Sequence, residues 1–210
     1  MTAYWPEFFA IALAHLLAVA SPGPDFAIVT RQCVLSGTRA GVWTAVGVGS
    51  AILLHVGYCL LGVALLLSSS PQLFNVMKLL AAAYLFYIGV RALRSKGFVF
   101  EKDQFVAAEN FSPHQAVVQG FLTNGLNPKA TLFFLALFTV VIDPATPLII
   151  QVFYGLYLAV ATFVWFALLS LFLGHRLVRD RMLRLGIWFE RAMGALLILL
   201  ALQITLTLRA

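Results

Sequence analysis

Residues 21–25 read "SPGPD", and they interrupt an apolar run that otherwise suits a membrane-spanning helix. The run before them is "FFAIALAHLLAVA" (8–20), and the run after them is "FAIVT" (26–30). Proline removes a helical hydrogen-bond donor and clashes with the preceding turn, and glycine here is expected to allow unusual dihedral angles. Backbone groups freed inside lipid are costly, so we expect the break to pack against protein or line a wet cavity.

The composition predicts that this chain is embedded in a lipid bilayer. Of its 210 residues 62% are hydrophobic and 10% are charged, against about 45–50% apolar and about 25% charged in soluble domains. The net charge of +6 comes from basic residues between apolar runs, which predicts a role in topology and no nucleic-acid partner. The first nine residues contain no Lys or Arg, so they lack the basic region of a cleavable signal peptide.

Six apolar runs are long enough to cross a membrane, since a crossing needs about 20 residues. They cover residues 7–30, 41–67, 73–93, 114–142, 148–173 and 185–207. The fold class predicted is therefore an all-α integral membrane protein with six transmembrane helices in one domain, 1–210. Its parts are a first repeat at about 1–95, a cytoplasmic loop at about 95–113 and a second repeat at about 114–210.

The basic residues predict the orientation. Ten of the fourteen Lys and Arg lie in the first, third and fifth loops, and the second and fourth loops have none. The positive-inside rule then places the odd-numbered loops in the cytoplasm and both termini outside. The ten residues are Arg31, Arg39, Arg91, Arg94, Lys96, Lys102, Arg176, Arg179, Arg181 and Arg184.

A second break occurs at "NPK" (127–129), so the two halves of the chain have prolines at matching spacings. Pro22 follows Pro6 by sixteen residues, and Pro128 follows Pro113 by fifteen, with Ser112 as the expected helix cap. The first span of each half is thus long and interrupted near its middle. This pattern is typical of transporters built from inverted repeats, whose site lies between paired broken helices.

The breaks also carry charge. Each exposes the N-terminus of a half-helix, which favours an anion, and beside them stand Asp25 and Lys129, of opposite sign. We expect a cavity for a zwitterion, with Asp25 near an ammonium or carrying a coupling proton and Lys129 near a carboxylate. A structural pair that only neutralises itself is the alternative. The predicted substrate-binding or coupling residues are Ser21, Pro22, Gly23, Pro24, Asp25, Asn124, Asn127, Pro128 and Lys129.

Three segments together resemble one known family. They are "SPGPDFAIVTRQCVLSGTRAGVWTAVGVGSA" (21–51), "YLFYIGVRALR" (84–94) and "GFLTNGLNPKATLFFLALF" (120–138). The chain resembles the lysine exporter/homoserine–threonine exporter (LysE/RhtB) family over nearly its whole length. The resemblance implies a six-helix protein of the bacterial inner membrane that exports amino acids in exchange for protons, with no cofactor, as a homo-oligomer such as a homodimer. One departure is "FTVVIDPATP" (138–147), where the family often has a proline and an aromatic pair.

Other functions leave weaker signals. A membrane thiol–disulfide carrier would use Cys33 and Cys59, but neither adjoins a break. The two cysteines are too few for a disulfide framework and too far from His and acidic clusters to suggest a metal site. A channel stays open as an alternative. An enzyme is not expected, because no span holds a second acid to partner Asp25 and no "GxSxG", "HExxH" or phosphate-binding loop occurs. With one acid at the breaks, a neutral amino acid is favoured over lysine.

Several further residues have two interpretations. His15 and His55 are either proton carriers or hydrogen-bonded packing residues, and Glu190 with Arg191 is expected to pair or snorkel near the membrane interface. Small residues in the second span predict close helix packing or, as a more specific alternative, a surface along which helices slide during alternating access. These small residues are Gly41, Ala45, Gly49 and Gly57.

Overall fold

The computed structural model describes residues 4–69, 71–95, 111–143, 145–173 and 176–207, and within them the chain is helical with no strand. Most of the predicted cytoplasmic loop at about 95–113 lies outside the described residues. The helices are α1 (Trp5–Ala20), α2 (Pro24–Ser36), α3 (Thr38–Ser69), α4 (Pro71–Leu93), α5 (Pro113–Gly125), α6 (Pro128–Ala136), α7 (Leu148–Leu173) and α8 (Arg176–Thr207). A π-helix, Leu137–Val141, continues α6.

The helices begin and end close to the proline, serine and glycine residues that the sequence marks as helix boundaries. Pro6 lies in the first turn of α1, and the Ser112 hydroxyl caps α5 by accepting a hydrogen bond from the Gln115 N–H. α2 ends at Gly37, whose φ of 84° lies in the left-handed region that favours glycine. These local signals need only the neighbouring residues, which explains why the sequence predicts them.

The membrane spans are only partly established. Among the described residues three segments are long and apolar enough to cross a bilayer: Thr38–Gly62, Leu148–Phe172 and Leu185–Leu206. The pair α1 and α2, bent by 53° at its break, makes a fourth if it is one span. The structure thus has several candidate spans, and the count of six stays a prediction.

The predicted fifth loop, 174–184, is helical from Arg176 onward, while the apolar segment of α8 begins at Leu185, where the sixth span is predicted to begin. The basic segment that begins at Arg176 is the start of α8, which runs without interruption to Thr207. The physical reason is that residues 176–185 contain no proline or glycine and are rich in Arg and Leu, which are good helix formers. Basic residues mark a side of the membrane, but they do not require a loop.

Glycines set the close helix contacts. A Cβ at Gly89 of α4 would lie 2.8 Å from the Gly194 carbonyl oxygen of α8, so these two helices approach backbone to backbone. The predicted packing of α3 is confirmed at Gly41, which faces Cys33 and Ser170, and at Gly49, whose added Cβ would lie 2.9 Å from Phe163. It is wrong at Gly57, where an added Cβ would meet nothing within 4 Å.

Two packed clusters surround the breaks. The larger one joins side chains of α1, α3, α4, α6, α7 and α8, including Ile11, Phe134 and Met193. The smaller one joins α2, α3 and α7 around Phe26 and Phe166. The half-helices are therefore fixed in protein on several sides, as a break inside lipid requires.

Candidate functional site

Both predicted breaks are present. α1 ends at Ala20 and α2 begins at Pro24, while α5 ends at Gly125 and α6 begins at Pro128. Each proline stands in the first turn of its helix, where no intrahelical donor is needed. The chain therefore stops and restarts at "SPGP" and at "NP", as the sequence predicts.

The expectation of unusual dihedral angles at Gly23 is wrong. Its φ is −168° and its ψ is −165°, an extended backbone that other residues also adopt. A Cβ there would lie 3.8 Å from the Ser21 carbonyl oxygen and 3.9 Å from the Lys129 ammonium nitrogen, which are ordinary contact distances, so an alanine side chain also fits. Gly23 caps α2 without a side-chain hydrogen bond.

The second break is capped by its own side chain. The Asn127 amide oxygen accepts a hydrogen bond of 3.0 Å from the Lys129 N–H, at the start of α6. The Asn127 carbonyl oxygen accepts from the N–H and from the hydroxyl of Thr131. The predicted anion-binding N-terminus is therefore partly satisfied at α6, whereas α2 has no such cap.

Hydrogen bonds join the two breaks to each other. The Asp25 oxygen Oδ2 accepts from the side-chain amides of Asn124 (3.0 Å) and Asn127 (3.5 Å). In return, the Lys129 ammonium donates to the Ser21 hydroxyl at 2.8 Å. Segments separated by about a hundred residues in sequence thus form one polar centre in an apolar fold.

One atom of this centre has no partner. Asp25 Oδ1 is buried and accepts no hydrogen bond from any described residue. Asp25 and Lys129 attract each other, yet within the described chain their hydrogen bonds go to different groups. A buried acceptor left bare is costly, so a donor that arrives from outside the chain would be bound favourably.

A cavity of about 50 Å³ lies where the breaks meet. It is small beside the ~300–1,000 Å³ of typical ligand pockets, so the cavity must widen to admit a molecule larger than a few waters. Its polar wall comes from the breaks, and its remaining wall is mostly apolar, with Ile52, Phe133, Phe134, Phe166 and Met193.

Seven of the nine predicted site residues line this cavity. The other two, Pro22 and Pro128, shape the breaks, and Pro22 packs against α8, where a Cβ at Gly186 would lie 2.5 Å from its ring. The seven are Ser21, Gly23, Pro24, Asp25, Asn124, Asn127 and Lys129. Their role in binding or coupling stays a prediction.

Both buried histidines make hydrogen bonds, as the packing interpretation predicts. His15 lines the cavity and bonds the Thr162 hydroxyl at 2.8 Å. His55 stacks on Phe134, with ring centroids 5.3 Å apart, and bonds Asn124. The link from His55 to the site joins residues 69 positions apart, and no local pattern in the sequence indicates it.

Glu190 is closer to the site than the sequence suggests. It lies five residues inside the apolar segment Leu185–Leu206 and accepts a 2.7 Å hydrogen bond from the Ser95 hydroxyl. The predicted interfacial pairing of Glu190 with Arg191 stays a prediction. The charge of Glu190 also acts on the Lys129 ammonium, as does the charge of Asp25. Lys129 therefore has acidic groups on two elements, α2 and α8, and the expectation that no span holds a second acid is wrong at Glu190.

The two cysteines lie in different packed clusters. Both are buried free thiols, with Cys33 in the smaller cluster and Cys59 in the larger one. Neither lines the cavity at the breaks. No observation in the described chain favours a thiol–disulfide carrier.

Comparison with known proteins identifies the family of this chain. The family model described as LysE type translocator matches residues 16–207. The chain belongs to the LysE type translocator family. No solved structure is significantly similar to it.

Relatives of this translocator include proteins with named substrates. It is 27% identical to the threonine efflux protein of Salmonella typhi over 198 residues, which are 90% of this chain and 92% of the relative. It is 34% identical to the leucine efflux protein of Salmonella choleraesuis over 148 residues, 67% of this chain and 66% of that protein. An uncharacterised membrane protein of Pseudomonas aeruginosa is 32% identical over 189 residues, 88% and 83% of the two chains.

The C-terminal end of α6 has an unusual conformation in this LysE type translocator. α6 passes directly into the π-helix Leu137–Val141, where the Thr139 hydroxyl donates to the Leu135 carbonyl oxygen at 2.8 Å. Beyond it, the Glu7 carboxylate of α1 accepts from the Asp143 N–H and from the Thr146 hydroxyl. This end of the second broken helix is thus tied to the first turn of α1.

Proposed function

We propose that this translocator is a secondary exporter of neutral amino acids, driven by proton exchange. The observation that carries the proposal is Asp25 Oδ1, a buried acceptor without a partner in the described chain, in a cavity that also contains the Lys129 ammonium. An α-amino acid offers the complementary groups, an ammonium for Asp25 and a carboxylate for Lys129. The threonine and leucine efflux relatives support this substrate class.

The same carboxylate supplies a simple coupling rule. Asp25 Oδ1 can hold a proton or a substrate ammonium, but not both at once. In the cytoplasm the substrate takes the place of the proton, and outside a proton displaces the substrate, so each outward step is exchanged for an inward proton. The driving force is then the proton gradient.

A neutral substrate follows from the lining. The described cavity residues include one carboxylate, and most of the wall opposite the breaks is apolar. A second cation on the substrate would find no second carboxylate among the described lining residues, and the nearby Glu190 already acts on Lys129, so its burial is unfavourable. Leucine and threonine therefore fit better than lysine.

The proposed frame has six crossings in two inverted repeats in a bacterial inner membrane, with both termini outside. The broken pairs α1–α2 and α5–α6 support it, together with the contacts of α3 with α7 and of α4 with α8. Under this frame α2 and α5 are the cytoplasmic halves of the broken helices, and α1 and α6 are the outer halves. Export as a homodimer is part of the proposal.

The test is export of a panel of radiolabelled amino acids from cells that express wild type, Asp25→Asn or Lys129→Ala at equal amounts in the membrane. We expect wild type to export neutral amino acids, and both variants to lose nearly all of this export. An uncoupler that collapses the proton gradient should abolish accumulation outside. Unchanged export by Asp25→Asn would remove the proposed role from that carboxylate.

Exchange distinguishes a carrier from a channel. In vesicles preloaded with unlabelled substrate, a carrier accelerates uptake of the labelled substrate, and a channel does not. We expect acceleration that depends on both Asp25 and Lys129.

A further inference from the structure

We propose that His55 is a positioning residue, which fixes the side-chain amide of Asn124 so that its NH₂ group faces Asp25. This inference adds a residue role to the proposed function. Its export assay rests on that function being correct. The inference concerns the orientation of the site and gives His55 no proton to carry.

The tautomer of His55 follows from its neighbours. Its Nε2 lies 3.1 Å from the Asn124 backbone carbonyl oxygen, which can only accept, so Nε2 carries a hydrogen. On the other side of the ring, Nδ1 is hydrogen-bonded to the Tyr58 hydroxyl. A neutral imidazole with its hydrogen on Nε2 satisfies both contacts, with Tyr58 donating to Nδ1.

The amide of Asn124 is then fixed in one orientation. Its oxygen Oδ1 lies 3.1 Å from the same Nε2, and its nitrogen Nδ2 lies 3.0 Å from Asp25 Oδ2. Rotating the amide by half a turn would put its NH₂ against the Nε2–H and its oxygen against the carboxylate. Both contacts would become repulsive, so His55 and Asp25 select the same rotamer.

The result is a directed chain of donors. Tyr58 donates to His55, His55 donates to Asn124, and Asn124 donates to Asp25. This chain occupies Oδ2 of Asp25 and leaves Oδ1 as the acceptor for a ligand. His55 is buried and stacked on Phe134, with a ring angle of 3°, so its ring cannot turn away without repacking.

The discriminating variants are His55→Gln and His55→Leu. Glutamine places an N–H donor near the position of Nε2, whereas leucine fills the space without a donor. We expect His55→Leu to lower export of radiolabelled leucine and threonine about tenfold per folded transporter, as loss of one hydrogen bond that supports a charged group implies. His55→Gln should restore at least half of wild-type export. Equal loss in both variants would contradict positioning and indicate a proton carrier.

A double-mutant cycle tests whether His55 acts through Asn124. The thermal unfolding midpoint in detergent is measured for all single, double and triple combinations of His55→Leu, Asn124→Ala and Asp25→Asn. We expect the effect of His55→Leu to be at least halved once Asn124 is alanine, and to be coupled to Asp25 only while Asn124 is present. Additive effects in both pairs would overturn the proposal.

The matched control is His15→Leu, which removes the other buried histidine of the site. Its hydrogen bond goes to Thr162, so its effect should add to that of Asn124→Ala. Coupling of similar size for His15 and His55 would contradict a specific link. The thermal cycle needs no transport, so a chain that exports neither amino acid would contradict the proposed function while the cycle still tests the role of His55.

Discussion

The two broken helices differ in how each break is satisfied. At the first break α2 begins at a glycine without a side-chain cap, and Asp25 keeps one oxygen bare. At the second break Asn127 caps α6, and the side chains of Asn124, Asn127 and Lys129 donate across to the first. The first break is therefore the accepting side of the site and the second is the donating side. Two breaks with matching proline spacing in the sequence can therefore differ in their chemistry.

The largest expected loss of stability comes from replacing Lys129 or Asp25, and the two losses should differ because the two side chains have different charged neighbours. Within the described residues, Glu190 and Asp25 both act on Lys129, whereas Asp25 has Lys129 alone as a cationic neighbour. Lys129→Met should destabilise the protein by about 3–5 kcal/mol, as loss of one member of a buried pair does. Asp25→Asn should cost less, and the double variant less than Lys129→Met alone. Thermal unfolding in detergent measures this order, and a greater loss in Asp25→Asn would reverse the proposed asymmetry.

The next effect concerns the support of the first break by α8. Gly186→Ala would place a methyl group against the Pro22 ring, and overpacking of this kind costs about 1–3 kcal/mol. The control is Gly57→Ala in α3, where the added methyl group meets nothing within 4 Å and a helical alanine is favoured. Equal melting temperatures for the two variants would mean that Pro22 is not held by α8.

Capping should distinguish the second break from the first. Asn127→Ala removes the cap of α6 and one donor to Asp25, and a lost N-cap costs about 0.5–2 kcal/mol. Asn127→Ser keeps a capping oxygen and should recover most of the stability in the same thermal assay. If serine were no better than alanine, the cap would not be what Asn127 contributes.

The smallest effect is expected at Gly23. Its backbone is extended and an added Cβ meets its neighbours at ordinary contact distances. Gly23→Ala should therefore change stability by no more than about 0.5 kcal/mol. A loss as large as that of Gly186→Ala would show that the first break needs glycine for its conformation.

Local features of this fold are readable from the sequence. Pro24 and Pro128 mark where helices restart, Ser112 marks a cap, and Gly37 marks an end. Each depends on the intrinsic chemistry of one residue and its neighbours. The meeting of Asp25 with Lys129 across two breaks also follows, once the halves are compared with each other.

The remaining features depend on tertiary packing. That His55 fixes Asn124, and that Glu190 acts on Lys129, are contacts between distant elements with no local periodicity to indicate them. Gly23 shows the opposite kind of error, because its backbone is extended and an added Cβ fits at ordinary contact distances, so the local structure does not require the glycine that the sequence emphasises.

The central claim, that the first break binds an ammonium and the second a carboxylate, is tested most directly with substrate analogues. Binding of leucine, leucine amide and the corresponding 2-hydroxy acid is measured on purified wild type, Asp25→Asn and Lys129→Met. We predict that Asp25→Asn weakens leucine and the amide but spares the hydroxy acid, which has no ammonium. Lys129→Met should weaken leucine and the hydroxy acid but spare the amide. Unchanged leucine binding in Asp25→Asn, or equal losses for both analogues in each variant, would contradict the account.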